Sequence, residues 1–375
     1  MYYNTATAPL EGTAGASERD DRQRFGSGAP VAQARSDLAP FSGYHAQSFG
    51  RASRRQLLKQ MARIFWSDSE NRVVQSFGWW LEALLLRSLW WLVTPLSLDH
   101  ASAAGRRMFG LLGPRSAKHE HVLANLATAF PDRSAAEIER LALGVWGNVG
   151  AVAAEFAQLE KLTDAQRNRD RIEIVTADSG PGAPAGDTPC VFVTAHCGNW
   201  ELAAYTAQQL TGALDVVYTP QDNPYLDRMI QDKRRALGCG FIGKVNAVRS
   251  MFKSLRNGRS VGLLVDTRVD EAPLQPFFGV DANVTTTPAW LALKTGCPIV
   301  PIHVERRRDA RFRITLHPAL RVVREEGESA EQAVDRVTRA ITATVEAWIR
   351  ARPSDWMCTK RRWPKDLMRA RGAYR

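Results

Sequence analysis

The sequence predicts an α/β fold in which helices flank a mixed or mostly parallel central sheet. Three observations carry that expectation. From about residue 118 onward, short β-branched runs alternate with amphipathic helical stretches. The strand-like runs, such as CVFVTA at 190–195 and GLLVD at 262–266, are short and largely apolar, as buried core strands are. Gly, Pro and capping residues punctuate the segments where helices should begin and end.

Taken in chain order, the first 50 residues are Ala, Gly, Ser, Arg and Pro with little periodicity, and a disordered tail is expected over 1–50. That tail lacks the apolar core of a secretory signal, and Glu11, Glu18, Asp20 and Asp21 are unusual for an organelle transit peptide. Residues 51–66, RASRRQLLKQMARIFW, mix basic side chains with Leu57, Leu58, Met61, Ile64 and Phe65 at helical spacing, the pattern of an interfacial helix. Residues 73–98 are long enough to span a bilayer, but Glu82 and Arg87 lie within them, each costing about 2.5–3.5 kcal/mol at a bilayer centre. The Trp pairs 79/80 and 90/91 lie about 16 Å apart along a helix, too close for two opposite interfacial belts. A membrane-anchoring helical region, tilted or monotopic, is therefore expected over 51–100, and a buried core helix is the alternative.

The rest, 101–370, reads as one domain. LANLATAF stops at Pro131, and a long helix resumes after Ser134 with Glu137 three positions on, a capping box. RIEIVTA, CVFVTA, LDVVYT, GLLVD, PIVPIHVER and FRITLH read as strands. ELAAYTAQQL, a helix entered at Pro224 and stopped by Gly238, SMFKSLRNG, PAWLALKTG and the amphipathic AEQAVDRVTRAITATVEAWIRARP read as helices.

With 50 basic and 39 acidic residues the net charge is +11, which favours anionic partners: nucleic acid, phospholipid or an acidic carrier protein. Five scattered cysteines without a CxxC pair suggest a reducing compartment. GCGFIGK at 238–244 fits two phosphate-loop patterns, but a helix precedes it where a strand is required, and Gly238 is better explained as a helix C-cap. No G-x-S-x-G elbow occurs, HEH at 119–121 is not a zinc signature, and no metal-ligand set is visible.

Chemistry is most legible in VFVTAHCGNWEL, residues 191–202. His196 should stand at the carboxyl end of a buried strand and Glu201 in the first turn of the next helix, the crevice where open α/β sheets bind ligands. The other reading of the pair is a capped turn with a surface histidine. Cys197, beside His196, raises a thiol nucleophile, although neighbouring side chains at a strand end point in different directions.

Several motifs in order resemble the late acyltransferases of lipid A biosynthesis, within the wider lysophospholipid acyltransferase group. They are NLATAFP at 125–131, AHCGNWEL at 195–202, YTPQDNPYLDRMI at 218–230, KRRALG at 233–238, LLVDTR at 263–268, PFFGVDANVTTTPAWLALKTGCPIVP at 276–301 and the terminal KRRWP. The resemblance implies a glycerol-phosphate-acyltransferase-like fold and a membrane-associated enzyme at the cytoplasmic face of a bacterial inner membrane. That enzyme would move a fatty acyl chain from an acyl carrier protein or CoA thioester to a hydroxyl of a lipid A precursor, without a cofactor, a metal or nucleic acid. The family's H-x-x-x-x-[D/E] pattern maps onto His196 and Glu201: the imidazole would take the hydroxyl's proton while Glu201 held its other nitrogen. Donors near Gly198 and Asn199, or a basic side chain, would meet the negative oxygen of the tetrahedral intermediate.

Asp266, at the end of its strand, is a second polar candidate on the same sheet edge. Arg228, Arg234 and Arg268 are candidates for an anionic substrate, and Gly279 lies in PFFG, which resembles the family's substrate loop. The basic C-terminus could dock an acidic carrier, lie on anionic lipid or stay solvated. Many relatives have Asp-Gln where this chain has Asp266-Thr267, Arg in place of Thr219 and His in place of Lys360. These departures leave the acceptor open, with another glycolipid or an aminolipid as the alternative. A lipid hydrolase and a noncatalytic basic protein are the rivals from other classes.

Overall fold

A computed structural model describes residues 72–166, 170–177 and 188–370. The expected tail at 1–50 and the basic stretch at 51–66 lie outside the described residues.

The chain enters through α1 (Arg72–Val93), turns at Thr94–Ser97 and continues as α2 (Leu98–Leu112), α3 (His119–Ala129), α4 (Ala135–Ala157) and the single turn α5 (Leu159–Leu162). Ser134 caps α4 as expected: its Oγ accepts from Glu137 N, and Glu137 accepts from Ser134 N at 2.8 Å. Then follow β1 (Ile172–Thr176), β2 (Val191–Thr194), α6 (Glu201–Thr211), β3 (Leu214–Tyr218), α7 (Pro224–Arg234), β4 (Gly240–Gly243), α8 (Ala247–Arg256) and β5 (Ser260–Leu264). A small hairpin of β6 (Leu274–Phe277) and β7 (Val280–Asn283) leads to α9 (Thr287–Thr295), β8 (Ile299–Arg308), β9 (Arg311–Leu316), α10 (Ala330–Ala351) and α11 (Lys365–Ala370).

Seven strands form the central sheet in the order β1-β9-β8-β2-β5-β3-β4. All neighbours are parallel except β8 and β9, which pair antiparallel as a hairpin. The sheet is therefore mixed and mostly parallel. In β2, Val191 and Val193 face a core built with α3, α4, α8, α9 and α10, while Phe192, with Cys190 just before the strand, faces a second core with α6. That two-sided burial is why the strand reads as a continuous apolar run. Five strands, β2, β3, β4, β5 and β8, run the same way, so they deliver their carboxyl ends to one edge. His196, Lys244 and Asp266 follow three of those ends within two residues.

The sequence missed β4 and the β6–β7 hairpin. GFIG is too short and too glycine-rich to announce a strand, and it pairs with β3 at the sheet's edge. Gly238, just before it, has φ of 72° and closes the preceding helical turn, as expected of a C-cap.

No helix among the described residues is long and apolar enough to cross a membrane. α1 is nonetheless apolar on its outer half, where Phe77, Trp80, Leu81, Leu85, Trp91 and Leu92 are exposed. Glu82 is explained by protein contact: Asn223, at the cap of α7, donates to its Oε2 at 3.0 Å and to the Trp79 carbonyl at 2.9 Å. α2 and α4 pack with their backbones touching. A Cβ on Gly105 would lie 2.2 Å from the Gly150 carbonyl oxygen, and one on Gly150 would lie 2.0 Å from that of Gly105.

His303 on β8 stacks flat on Trp348 of α10, with ring centroids 4.7 Å apart, and Trp348 Nε1 donates to His317 Nε2 at 3.1 Å. Burial pushes His303 down to about 3, helped by His317 and Arg352. Between about pH 6.5 and 3 the unfolded chain takes up this proton and the folded chain does not, so stability is full above that window and falls as the pH drops through it. Thermal melts over this range are expected to show a steeper loss for the wild type than for His303→Phe, which keeps the stack and removes the titration.

Candidate active site

The site grows from the turn after β2. His196 Nδ1 lies 2.8 Å from Asp266 Oδ1, and the His196 backbone N–H donates to the same oxygen at 3.1 Å. The other oxygen, Oδ2, accepts from Trp356 Nε1 at 3.0 Å. Asp266 is buried, whereas the His196 side chain is 19% exposed, and its ring lies against Trp200 with centroids 5.2 Å apart. Burial alone would raise the Asp266 carboxyl. The imidazole, the Trp356 indole and the backbone N–H more than offset it and hold the group below the ordinary carboxylate value. An ionised carboxylate only accepts, so it selects the tautomer of the neutral imidazole in which Nδ1 carries the hydrogen and Nε2 the lone pair. That tautomer is the one a general base needs.

A buried ionic cluster fixes the backbone around this pair. Arg306 near the end of β8 reaches Glu155 of α4 with both terminal nitrogens, its NH2 at 2.9 Å from Oε2, and its Nε donates to Asn148 Oδ1 at 2.9 Å. Glu155 also accepts from Ser102 Oγ at 2.6 Å and from Asn199 Nδ2 at 3.0 Å. Asn148 Nδ2 in turn donates to the carbonyls of Gly198, at 3.1 Å, and Asp355, at 3.0 Å. Gly198 has φ of 56°, and a Cβ there would meet the Val304 carbonyl oxygen at 2.4 Å, so only glycine fits this turn.

The structure corrects the expected His196–Glu201 pairing. Glu201 is buried against Arg234, whose Nε and NH2 reach its carboxylate at 2.6–3.2 Å. Burial alone would lower the Arg234 guanidinium, and Glu201 reverses the direction. The reason is local: the chain turns at Gly198 before α6 begins, and the first turn of α6 packs on the last turn of α7. The carboxylate that meets the imidazole comes from the neighbouring parallel strand β5 instead.

The other expected site residues divide. The Gly198 N–H donates to the Asp355 carbonyl at 3.1 Å and the Asn199 side-chain amide to Glu155, so both shape the turn. Arg234 is engaged by Glu201 and stacks on Phe156 and Phe241. Arg268 pairs with Asp270 at 2.7 Å. Arg228 is exposed on α7, and Gly279 sits at the tip of the β6–β7 hairpin with φ of 69°. Cys197 is buried, and burial, followed by Asp266, pushes its thiol well above the ordinary value, so it stays protonated. Trp356, Glu155, Asn148 and Arg306 were not legible: each touches the site through contacts between residues far apart in sequence.

A strand-end histidine held by a buried aspartate, with no activated thiol beside it, is the kind of base that deprotonates a hydroxyl, and the relatives of this chain are acyltransferases. The protein is an acyltransferase, and the chain belongs to the bacterial lipid A biosynthesis acyltransferase family, whose profile matches residues 66–365. It is also similar to the phosphatidylinositol mannoside acyltransferase of Mycobacterium tuberculosis, 26% identical over 304 residues that cover 75% of this chain and 93% of that protein. The enzyme of the same name from Mycolicibacterium smegmatis is 24% identical over 215 residues, covering 56% of this chain and 68% of its own length.

Proposed function

We propose that this protein transfers a fatty acyl chain from a pantetheine thioester, carried by acyl carrier protein or CoA, to a hydroxyl of a glycolipid, with His196 as general base and Asp266 as its orienting partner. The 2.8 Å contact between His196 Nδ1 and Asp266 carries this reading. Nε2 takes the proton of the acceptor hydroxyl as its oxygen attacks the thioester carbonyl. The tetrahedral intermediate then collapses, the carbon–sulfur bond breaks, and the thiolate takes the proton back from the imidazolium. Asp266 stabilises the imidazolium in between. The enzyme forms no covalent bond to the acyl chain.

The family match supports a lipid A precursor as acceptor, and the mycobacterial relatives support a mannosylated phosphoinositide as the second reading. Both are glycolipids. Incubating the purified protein with labelled acyl carrier protein or acyl-CoA and each lipid class, followed by lipid mass spectrometry, tests the reading. Release of free fatty acid without transfer would make the protein a hydrolase and overturn it.

The exposed apolar half of α1 supports attachment to one leaflet of a membrane, at the cytoplasmic face of a bacterial inner membrane. Leu85 and Leu92 are 60% and 59% exposed. If each is buried in lipid at a gain of roughly 1.5–3 kcal/mol, replacing both by serine should weaken cosedimentation with phospholipid vesicles by at least tenfold. Unchanged cosedimentation would remove α1 as the anchor.

A further inference from the structure

Beside the His196–Asp266 pair the chain gathers cations from three separate elements. Lys118 immediately precedes α3, Lys244 immediately follows β4, and Lys360 and Arg361 belong to the C-terminal segment before α11. The Met357 N–H donates to the His196 carbonyl at 2.8 Å. Asn125 of α3 then clamps the segment, donating to the carbonyls of Cys358 and Lys360 at 2.8 Å each and accepting from Arg362 N at 3.0 Å. Three residues of extended chain span at most about 11 Å, so the backbone of Lys360 stands close to the catalytic turn. Lys244 reaches the same edge because β4 runs parallel to β3, and β3 to β5.

These cations face one another. Burial and then the charges of Lys118 and Lys244 push the Lys360 ammonium below the usual lysine value, and burial first, then Arg361, Lys118 and Lys365, push His121 down. Glu120 is the acid that acts on His121 from the same helix. None of Lys118, Lys244, Lys360 and Arg361 has an ion-pair partner among the described residues, and the Nε of Arg361 is buried without a hydrogen-bond acceptor. Elsewhere Arg306 is matched by Glu155 and Arg234 by Glu201, while the buried Arg362 is held by the Asn283 carbonyl and the Phe277 ring. Unmatched like charges held together disfavour one another, and an anion of two or more oxygens relieves the repulsion.

We propose that Lys118, Lys244, Lys360 and Arg361 form a phosphate-binding subsite that holds the phosphopantetheine end of the acyl donor while its thioester reaches His196. The proposal rests on the acyl-transfer reading and adds the place where the donor is held. Phosphopantetheine carries its phosphate at the opposite end of an extended arm from the sulfur. Lys244 and the imidazole follow strand ends on one sheet edge, and the segment that carries Lys360 and Arg361 is bonded to the His196 carbonyl through Met357 N. CoA and acyl carrier protein share this phosphate.

The test compares the wild type with Lys118→Glu/Lys244→Glu, both changes lying on exposed side chains. Transfer is measured from acyl-CoA, from acyl carrier protein and from acyl-pantetheine, which lacks the phosphate. CoA and carrier-protein binding are measured separately by calorimetry, which needs no turnover. The KM for the phosphorylated donor is expected to rise about tenfold or more with little change in kcat, while acyl-pantetheine serves both proteins equally. The donor whose KM rises identifies the source of the phosphate. Equal KM and Kd values in the two proteins would overturn the subsite, as would loss of affinity for anionic vesicles with donor binding intact. Should the wild type transfer from none of the donors, the function proposed above fails, and calorimetry alone then decides the subsite: weaker binding to the variant supports it, equal or absent binding to both proteins rejects it.

Discussion

Replacing His196 by alanine is expected to lower kcat by about 10²–10⁴-fold, the range a positioned general base contributes. The side chain is partly exposed and, among the described residues, its ring bonds to Asp266 alone, so the fold should survive its removal. The measurement is single-turnover transfer of a labelled acyl chain, with a thermal melt of the same preparation. Turnover near the wild-type rate would take the base away from His196 and end the mechanism. Loss of turnover with an unchanged melt supports it.

Asp266→Asn should lose about as much, because it keeps the volume and removes the charge that selects the tautomer and stabilises the imidazolium. Glu201→Gln separates the two carboxylates. Its buried partner Arg234 would be left without a counter-charge, so it should destabilise the fold by about 3–5 kcal/mol. The surviving folded fraction should keep the wild-type pH profile of turnover. The reverse outcome, an altered profile in Glu201→Gln and an unaltered one in Asp266→Asn, would restore the pairing that the sequence motif implies. Asp266 also carries a stability signature. Its folded value is depressed, so its contribution is present above the ordinary Asp value of 3.8 and is lost as the pH falls through the folded value. The asparagine variant lacks that step.

The sheet was legible because its inner strands are buried on both faces and therefore largely apolar, as at 191–193 and 263–265. The capping box at Ser134 and the stop at Gly238 were legible because both are local. His196 and Asp266 were each found as strand-end polar residues, but their contact was not. It depends on β2 and β5 being neighbours in register, Val193 opposite Leu263 and Thr194 opposite Leu264, and strand order has no local signature. The spacing of His196 and Glu201 suggested a pair instead, and Gly198 shows why spacing misleads: a left-handed residue between them redirects the chain. The ionic cluster of Glu155 and Arg306 was hidden for a similar reason, since its members lie 151 residues apart.

The delivery of five parallel strand ends to one edge separates the reacting groups from the loops that surround them. The proposed base and its partner come from the segments that follow β2 and β5. The stretch leaving β3 carries neither group, whereas the hairpin between β5 and α9 packs Phe277 and Phe278 on Trp356, the indole that donates to Asp266. A hairpin that lies outside both strand ends is thereby tied, through a single indole, to the carboxylate that orients the imidazole.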